Sequence, residues 1–407
     1  MLAHQALSHL KTEAAFQPIG EPVGNLTLGR GQLQGAPVHL AIVENRIASG
    51  SLGARESDRL ASLFKVVAAQ KSPLLMYLDS AGARVSEGLP ALGAFRHMYR
   101  AALAMAASGA PVAAICGANC FGGASMLASL AGVRHFSANT RFAMSGPAIL
   151  AQSAGVSVLD EMFQAMSHAA IGMDARVKLG GDNVAATATA PITLPVAAPA
   201  AAARHAALGE RVAALRGSKP AAAVEKIERK DFAKLYPEGY SASQRAGVLT
   251  GEATHRGGKA DLLGVIDGQL LGAATAWALA DAVWQKLASP PAILHLLVDC
   301  ESHATSIDDE RIMLSVYLAD LAAALHALAA AGTRVETTVL GKLGGGVYVA
   351  LAAPSEQVNL LYGKEIQLLP GRAIASILGD AGSTRFEFAE YQQARVADQE
   401  LKLGLVD

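Results

Sequence analysis

Apolar residues in this 407-residue chain gather in short unbroken runs, separated by longer stretches where they recur every three or four positions. Short apolar runs read as strands buried on both faces, and the longer periodic stretches read as helices laid over them. Residues 31–48 alternate around Gly35-Ala-Pro37, which predicts a hairpin. A helix capped by Ser57 is expected over 57–70, then a buried strand over 74–78 that ends at Asp79. A helix over 90–107, a strand over 111–115 and a helix over 122–131 complete this half. The second half predicts the same order: a hairpin over 263–272, a helix over 276–287, a strand over 293–298 ending at Asp299, a helix over 309–330 and a strand over 334–340. Strands alternating with helices indicate an α/β fold with parallel pairing.

The repeat is visible in the glycines. Gly122-Gly123 follows one apolar run and opens another, and Gly345-Gly346 does the same. Asp79 precedes the first pair at nearly the distance by which Asp299 precedes the second, and residues 140–147 answer residues 364–371. Matched elements in the same order predict two homologous domains, over 1–180 and 241–407. The Ala/Pro/Thr-rich residues 185–203 suit a semi-extended linker within 181–240, and the charged residues 225–230 suit a solvated helix.

Composition narrows the function. The chain is 52% hydrophobic and only 5% aromatic, with a mean hydropathy of +0.29, so aliphatic side chains must fill a large core. A net charge of −1 with 17% charged residues leaves no electrostatic footprint for nucleic acid or an anionic membrane. So low a charge also fits a surface covered in a homo- or hetero-oligomer. Cys116, Cys120 and Cys300 are an odd set, which argues against a disulfide framework and fits a reducing cytoplasm. The N-terminal residues show no basic region leading into an apolar core, so no secretory leader is expected. No charge lies between Arg100 and Arg134, but Pro111, Asn119 and the glycines interrupt the stretch, which reads as buried elements and not as a membrane span.

Leu78-Asp79-Ser-Ala-Gly82-Ala83-Arg84-Val-Ser-Glu87-Gly88, then Cys120-Phe-Gly122-Gly123, then Ser145-Gly146-Pro147 resemble the carboxyltransferase branch of the crotonase superfamily. Within it they look most like the β subunit of biotin-independent malonate decarboxylase. The second half is similar to the γ subunit through Leu297-Val-Asp299, the turn at Gly344-Gly345-Gly346 and Glu365-Ile-Gln-Leu-Leu-Pro370. Where that subunit usually places glycine after the aspartate, this chain has Cys300-Glu301-Ser302-His303. No Cys-x-x-Cys pair precedes the first domain, unlike the zinc-ribbon β subunits of bacterial acetyl-CoA carboxylase.

The resemblance implies two tandem crotonase-like domains of the ββα spiral type. It implies decarboxylation of a malonyl thioester to the acetyl thioester and CO₂, a lyase reaction. The thioester would hang from the CoA-type prosthetic group of a partner acyl carrier protein, loaded by an acyl-transferase subunit, with no cofactor bound covalently to this chain. A biotin-dependent acyl-CoA carboxyltransferase is the alternative, and a non-catalytic thioester-binding or scaffold subunit is a third reading.

All the catalytic versions pass through an enolate whose charge gathers on the thioester oxygen, and backbone amides can hold that charge. Glycine suits the task because it lets a ligand approach the main chain, and a helix that begins there adds free N–H groups. The expected catalytic residues are therefore Gly122, Gly123, Gly82 and Ala83, with Gly345 and Gly346 in the corresponding part of the second half. Arg84, Ser145, Gly146, Pro147 and Gly344 are the candidates for binding substrate, although for Arg84 a local pair with Glu87 that holds the turn is the favoured role over meeting a phosphate of the thioester arm. Cys120 reads as a small buried hydrophobe, since no base is placed beside it to activate it. Cys116 and Cys120 make a poor zinc site, so no metal is expected. His97 and His303 read as surface or packing residues, which leaves the group that protonates the enolate unassigned.

Overall fold

Strands Leu26–Leu33 (β1) and Ala36–Val43 (β2) form an antiparallel hairpin. Gln34 and Gly35 both have positive φ, the turn that matches the twist of its flanking strands. The computed structural model describes residues 1–156, 159–187, 191–195, 201–217, 222–361, 363–371 and 373–374. Leu74–Ser80 (β3) lies parallel to β2, and Val112–Phe121 (β4) parallel to β3. The crossovers are helices Ala54–Gln70 (α1) and Leu89–Ala107 (α2). After β4 comes the short helix Gly123–Ser129 (α3). Val133–Phe136 (β5) then pairs with the first part of β4, and Arg141–Ala143 (β6) with its last part.

The second half repeats this path with Val248–His255 (β7), Gly258–Val265 (β8), Ile293–Cys300 (β9), Arg334–Gly344 (β10), Gln357–Leu360 (β11) and Glu365–Gln367 (β12). Its helices are Ala273–Lys286 (α4), Leu314–Ala330 (α5) and Gly345–Ala352 (α6). Each half is built on an eight-stranded sheet in which the strands named above keep the same order, the tandem α/β architecture expected.

The two central strands share one irregularity. Between β3 and β4 the register slips after Leu78, and the Asp79 carboxylate accepts the Asn119 N–H at 3.0 Å. Between β9 and β10 it slips after Val298, and Asp299 accepts the Lys342 N–H at 2.9 Å. A Cβ on Gly117 would fall 2.4 Å from the Asp79 Cβ, and one on Gly341 would fall 1.9 Å from an Asp299 oxygen, so only glycine leaves room for each carboxylate. The slip bends the strand so that its tail pairs with β6 in one half and with β12 in the other.

Several local expectations are corrected. Helix α1 starts at Ala54, where the Glu87 carboxylate accepts its first amide at 2.8 Å; Ser57 lies buried inside the helix and is not its cap. The second hairpin is β7–β8, with Arg256 and Gly257 at positive φ in its turn, whereas residues 263–272 hold the end of β8 and a turn at Asp267-Gly268. Leu262, Leu263, Val265 and Ile266 are all buried, so the alternation that marks a hairpin is hidden there. The helix over 309–330 is two pieces, Ile307–Arg311 and α5, broken at Met313 with φ +68. Residues 225–230 are not one helix: Val224–Lys226 pairs as an edge strand with Tyr240–Arg245, and a helix starts only at Lys230. Within 185–203, Ile192 is buried and donates its amide to Glu13, and residues 201–203 open the helix Ala201–Arg216; 188–190 and 196–200 lie outside the described residues. No helix among the described residues is long and apolar enough to cross a membrane.

The halves pack on each other through α2, α3, α5 and α6, and one apolar cluster runs through both, including Phe95, Met126, Leu318 and Tyr348. Arg96 and Arg100 on α2 donate through Nε to the carbonyls of Ala352 (3.1 Å) and Ala353 (2.7 Å), at the end of α6 where carbonyls lack helical partners. In return, the Glu310 carboxylate of the second half accepts the amides of Met144 (3.1 Å) and Ser145 (2.7 Å) in the first. Burial pushes the Glu310 carboxyl up to about 7, against the pull of the Ser145 amide and the Arg176 charge.

Two outcomes are expected. Asp79→Ala leaves the Asn119 amide without its acceptor and costs about 1–3 kcal/mol in urea unfolding, while Asp79→Asn, which keeps an oxygen there, costs less. Because the folded value of Glu310 lies above the ordinary 4.5, its stabilising contribution is full at low pH and is lost as pH rises through 7. The melting temperature should therefore carry a decline between pH 5 and 8 that Glu310→Gln removes; an identical decline in the variant would contradict this origin.

Candidate active site

Gly122 ends β4 with φ +54 and ψ −129, a conformation that favours glycine. Its N–H donates to the carbonyls of Ala143 (3.1 Å) and Met144 (3.2 Å), tying the end of β4 to the segment after β6. Gly82, at φ +90, donates its N–H to Ser80 Oγ at 3.1 Å, and its carbonyl accepts the Leu52 N–H at 2.7 Å. A Cβ on Gly82 would sit 2.7 Å from the Gly123 nitrogen, so the turn lies directly against the start of α3. Of the four amides expected to act in the first half, those of Gly82 and Gly122 are thus engaged by the fold. The amides of Ala83 and Gly123 have no acceptor among the described residues, and both residues line a cavity.

The strand registers and turn contacts place the second copy over the first. Gly345, at φ +55, stands where Gly122 does, and Gly346 where Gly123 does. Leu271 bridges His303 as Leu52 bridges Ala83, with the Leu271 N–H bonded to the Ser302 carbonyl at 3.1 Å. Ser302 therefore takes the place of Gly82, and His303 the place of Ala83. Gly344 is not in the cavity wall; a Cβ there would meet the Glu301 carbonyl at 2.7 Å. At Gly346 a Cβ would fall 2.5 Å from Met144 Cε and 3.1 Å from Met126 Sδ, so this glycine lets the two halves close together.

Both glycine pairs open into one cavity of about 470 Å³ between the halves, walled by Ala83, Gly122, Gly123, His303, Gly345 and Gly346 among others. Gly146 and Pro147 are also in its wall, whereas Ser145 lies fully buried behind it. His303 is 4% exposed, with Nε2 3.1 Å from Ser145 Oγ and Nδ1 3.4 Å from Ser302 Oγ. Burial pulls its imidazole down to about 4, so it is neutral at neutral pH. Of the two places the sequence suggested for His303, surface or packing, the structure excludes the surface and sets the buried ring in the cavity wall. Aligning Asp299 on Asp79 would have exposed it, since that sets His303 against Ala83.

Arg84 does not reach the cavity. Its guanidinium is held by Glu56, by Glu87 at 2.6 Å and by the Ser51 carbonyl at 2.7 Å, so it fastens the turn that carries Gly82 and Ala83. The cavity wall instead has Arg141, which the sequence reading missed. Its guanidinium donates to Asn119 Oδ1 at 2.6 Å and lies 5.8 Å from the centre of the Phe121 ring. All three cysteines are free and buried; burial lifts the Cys120 thiol well above its ordinary value and the Cys300 thiol to about 12, so neither is a thiolate nucleophile. Outside the cavity, ligand atoms of His255, His295 and Glu336 lie within 4.8 Å of one another. Tyr236 and Thr338 hydroxyls engage both nitrogens of His295, and Arg334 and Arg256 pair with Glu336, whose buried Oε1 has no hydrogen-bond partner among the described residues.

Comparison with known proteins bears on this geometry. The methylmalonyl-CoA carboxyltransferase 12S subunit of Propionibacterium freudenreichii subsp. shermanii is 29% identical over 151 residues, covering 37% of this chain and 29% of that protein. Among solved structures, transcarboxylase 12S with hydrolysed methylmalonyl-coenzyme A bound aligns over 99% of this chain and 85% of its own, at 20% identity and a TM-score of 0.38. A Pseudomonas malonate decarboxylase hetero-tetramer in complex with malonate aligns over 46% of this chain and 76% of its own, at 22% identity and a TM-score of 0.41. Other curated relatives that match by sequence are acetyl-coenzyme A carboxylase carboxyl transferase β subunits, such as that of Opitutus terrae, 34% identical over 64 residues. The chain spans less than a third of the 12S subunit's length. The carboxyl transferase domain family matches residues 3–171, within the first half of this chain.

Proposed function

We propose that this chain holds the enolate of an acyl thioester and uses it to move a carboxyl group, as an acyl-CoA carboxyltransferase. The observation that carries the reading is the pair of cavity-lining amides, Ala83 and Gly123, held side by side by the contact between Gly82 and the start of α3. In such a reaction the bond between the α-carbon and a carboxyl carbon forms or breaks, and meanwhile the electron pair rests on the thioester oxygen. Fixed N–H donors answer that charge, and losing one donor typically costs about 2.7–4 kcal/mol of barrier. The cavity is of a size that takes a small-molecule group, and Arg141 supplies a cation for a carboxylate in it. The carboxyl transferase match over residues 3–171 supports the same class of chemistry. On this reading the carboxyl group comes to the chain on a biotinylated partner, which is a substrate and not a resident group.

A second reading is favoured by one observation: the two ends of the cavity are chemically unlike, with Gly82 and Ala83 at one copy and Ser302 and His303 at the other. That asymmetry suits decarboxylation of a malonyl thioester carried by an acyl carrier protein, in which only one oxyanion needs holding and the enolate ends by taking a proton. The experiment that separates them offers malonyl-CoA alone, and acetyl- or propionyl-CoA with a carboxylated biotin carrier. Release of CO₂ from malonyl-CoA alone selects decarboxylation; carboxylation that needs the carrier selects transfer. Tight thioester binding with neither activity sinks both.

Two variants test the site in whichever assay responds. Gly82→Ala forces a Cβ onto the Gly123 nitrogen and should lower kcat/KM about 10²–10³-fold, the effect of losing an oxyanion donor. Arg141→Met should raise KM for the carboxylated substrate about tenfold or more with a smaller change in kcat, as expected for one lost charged hydrogen bond. An unchanged KM would place the substrate carboxylate elsewhere.

A further inference from the structure

Away from the cavity, the second sheet brings together three side chains that are far apart along the chain. His295 near the start of β9 and Glu336 near the start of β10 are direct partners in the parallel register, so their side chains stand together on one face. That face is the outer one. Leu294, Leu296 and Val298, which alternate with His295 along β9, belong to the apolar cluster that runs through both halves, whereas Leu297 belongs to a separate cluster with Tyr236 and Leu262. His255, the last residue of β7, completes the group, with its ring centre 4.6 Å from that of His295 and its Nε2 3.1 Å from Glu336 Oε2. Glu336 and His295 are fully buried, and a carboxylate so placed needs its lone pairs answered. Arg334 Nε lies 2.7 Å from Glu336 Oε1, yet neither atom makes a hydrogen bond among the described residues, and Arg256 comes no nearer than 3.5 Å. These arginine side chains are 37% and 47% exposed, so both can turn out to water.

The donor set also selects a ligand. Two imidazoles with one carboxylate suit zinc and its transition-metal neighbours, whereas calcium and magnesium take oxygen ligands. Bonds of about 2.0–2.2 Å set the ligands of a tetrahedral zinc about 3.3–3.5 Å apart. The ligand atoms of the three residues lie within 4.8 Å of one another, and the His255–Glu336 pair is already close enough. A metal-bound imidazole also needs a partner for its other nitrogen. His295 has one on each side, with the Tyr236 hydroxyl 2.8 Å from Nδ1 and the Thr338 hydroxyl 2.7 Å from Nε2, so either nitrogen can take the ion while the other keeps its hydroxyl.

We propose that His255, His295 and Glu336 form a site for a divalent transition ion of the zinc class, which clasps the end of β7 to β9 and β10. The ion sits between the carboxylate and the two imidazoles, where it answers both carboxylate oxygens at once. It takes the place of the hydrogen bond between His255 and Glu336, and any proton held there leaves to water. His255 stands beside the hairpin turn with its side chain partly exposed, which gives the ion its way in.

The test uses the full chain, stripped of metal with a chelator, and Zn²⁺ alone as the probe, followed by titration calorimetry and by the melting temperature. One equivalent should bind, and the melting temperature should rise with zinc concentration. His255→Gln keeps a side chain that can hydrogen-bond Glu336 but removes an imidazole ligand, so affinity should fall by more than about 10²-fold, beyond what loss of a mere supporting hydrogen bond costs. Should that variant fold poorly, Glu336→Gln, which keeps the shape and removes the charge, carries the same expectation. No bound equivalent at millimolar zinc, or wild-type affinity in a folded His255→Gln or Glu336→Gln, overturns the proposal. The three residues are not in the cavity wall, so either result leaves the enolate reading as it stands.

Discussion

The cavity exists because two half-buried aspartates hold the same break in two central strands. A strand that stayed in register would run past its neighbour and end far from the opposite half. Instead Asp79 takes the Asn119 amide and Asp299 takes the Lys342 amide, each where a glycine leaves space for the carboxylate. The bent tails then deliver a positive-φ glycine, Gly122 or Gly345, to a helix start facing the other half. Without the break there would be no amide from Gly123 beside the Gly82 turn, and no shared cavity for it to face.

With that geometry common to both halves, what distinguishes them is side-chain chemistry at equivalent positions. Gly82 can adopt φ +90 and press against Gly123. Ser302 does not sit at positive φ, and its hydroxyl turns to His303 instead. One copy therefore offers backbone donors and the other an imidazole held between hydroxyls. The half-to-half grip is also unequal: arginines of the first half hold carbonyls of the second, while Glu310 of the second holds amides of the first. Reciprocal contacts of this kind fix the two copies to each other as well as to their own sheets.

Much of the architecture was legible in local patterns. Short apolar runs mark parallel strands wherever both faces are covered, and Asp79, Asp299 and the glycine pairs mark the strand ends because each answers a backbone requirement at its own position. Elements with covered polar alternation were harder: β7–β8 was displaced toward 263–272 because the buried run at the end of β8 masks its period. Caps supplied from a distance were harder still, as with Ala54, whose amide is taken by Glu87 and not by a residue of the helix's own first turn.

The sequence by itself determined that there are two copies of a strand-turn-helix device, that each needs glycine at its turn, and that the first carries motifs of a carboxyl transferase. These follow from residue order, because apolar period and the freedom of glycine are properties of short segments. Only the tertiary structure decided that Gly82 and Gly122 engage their amides within the fold, that Arg84 fastens a turn while Arg141 faces the cavity, and that His303 meets Ser145 across the halves. Those outcomes depend on which hydrogen-bond partner lies nearest in space, and the partners come from segments far apart along the chain.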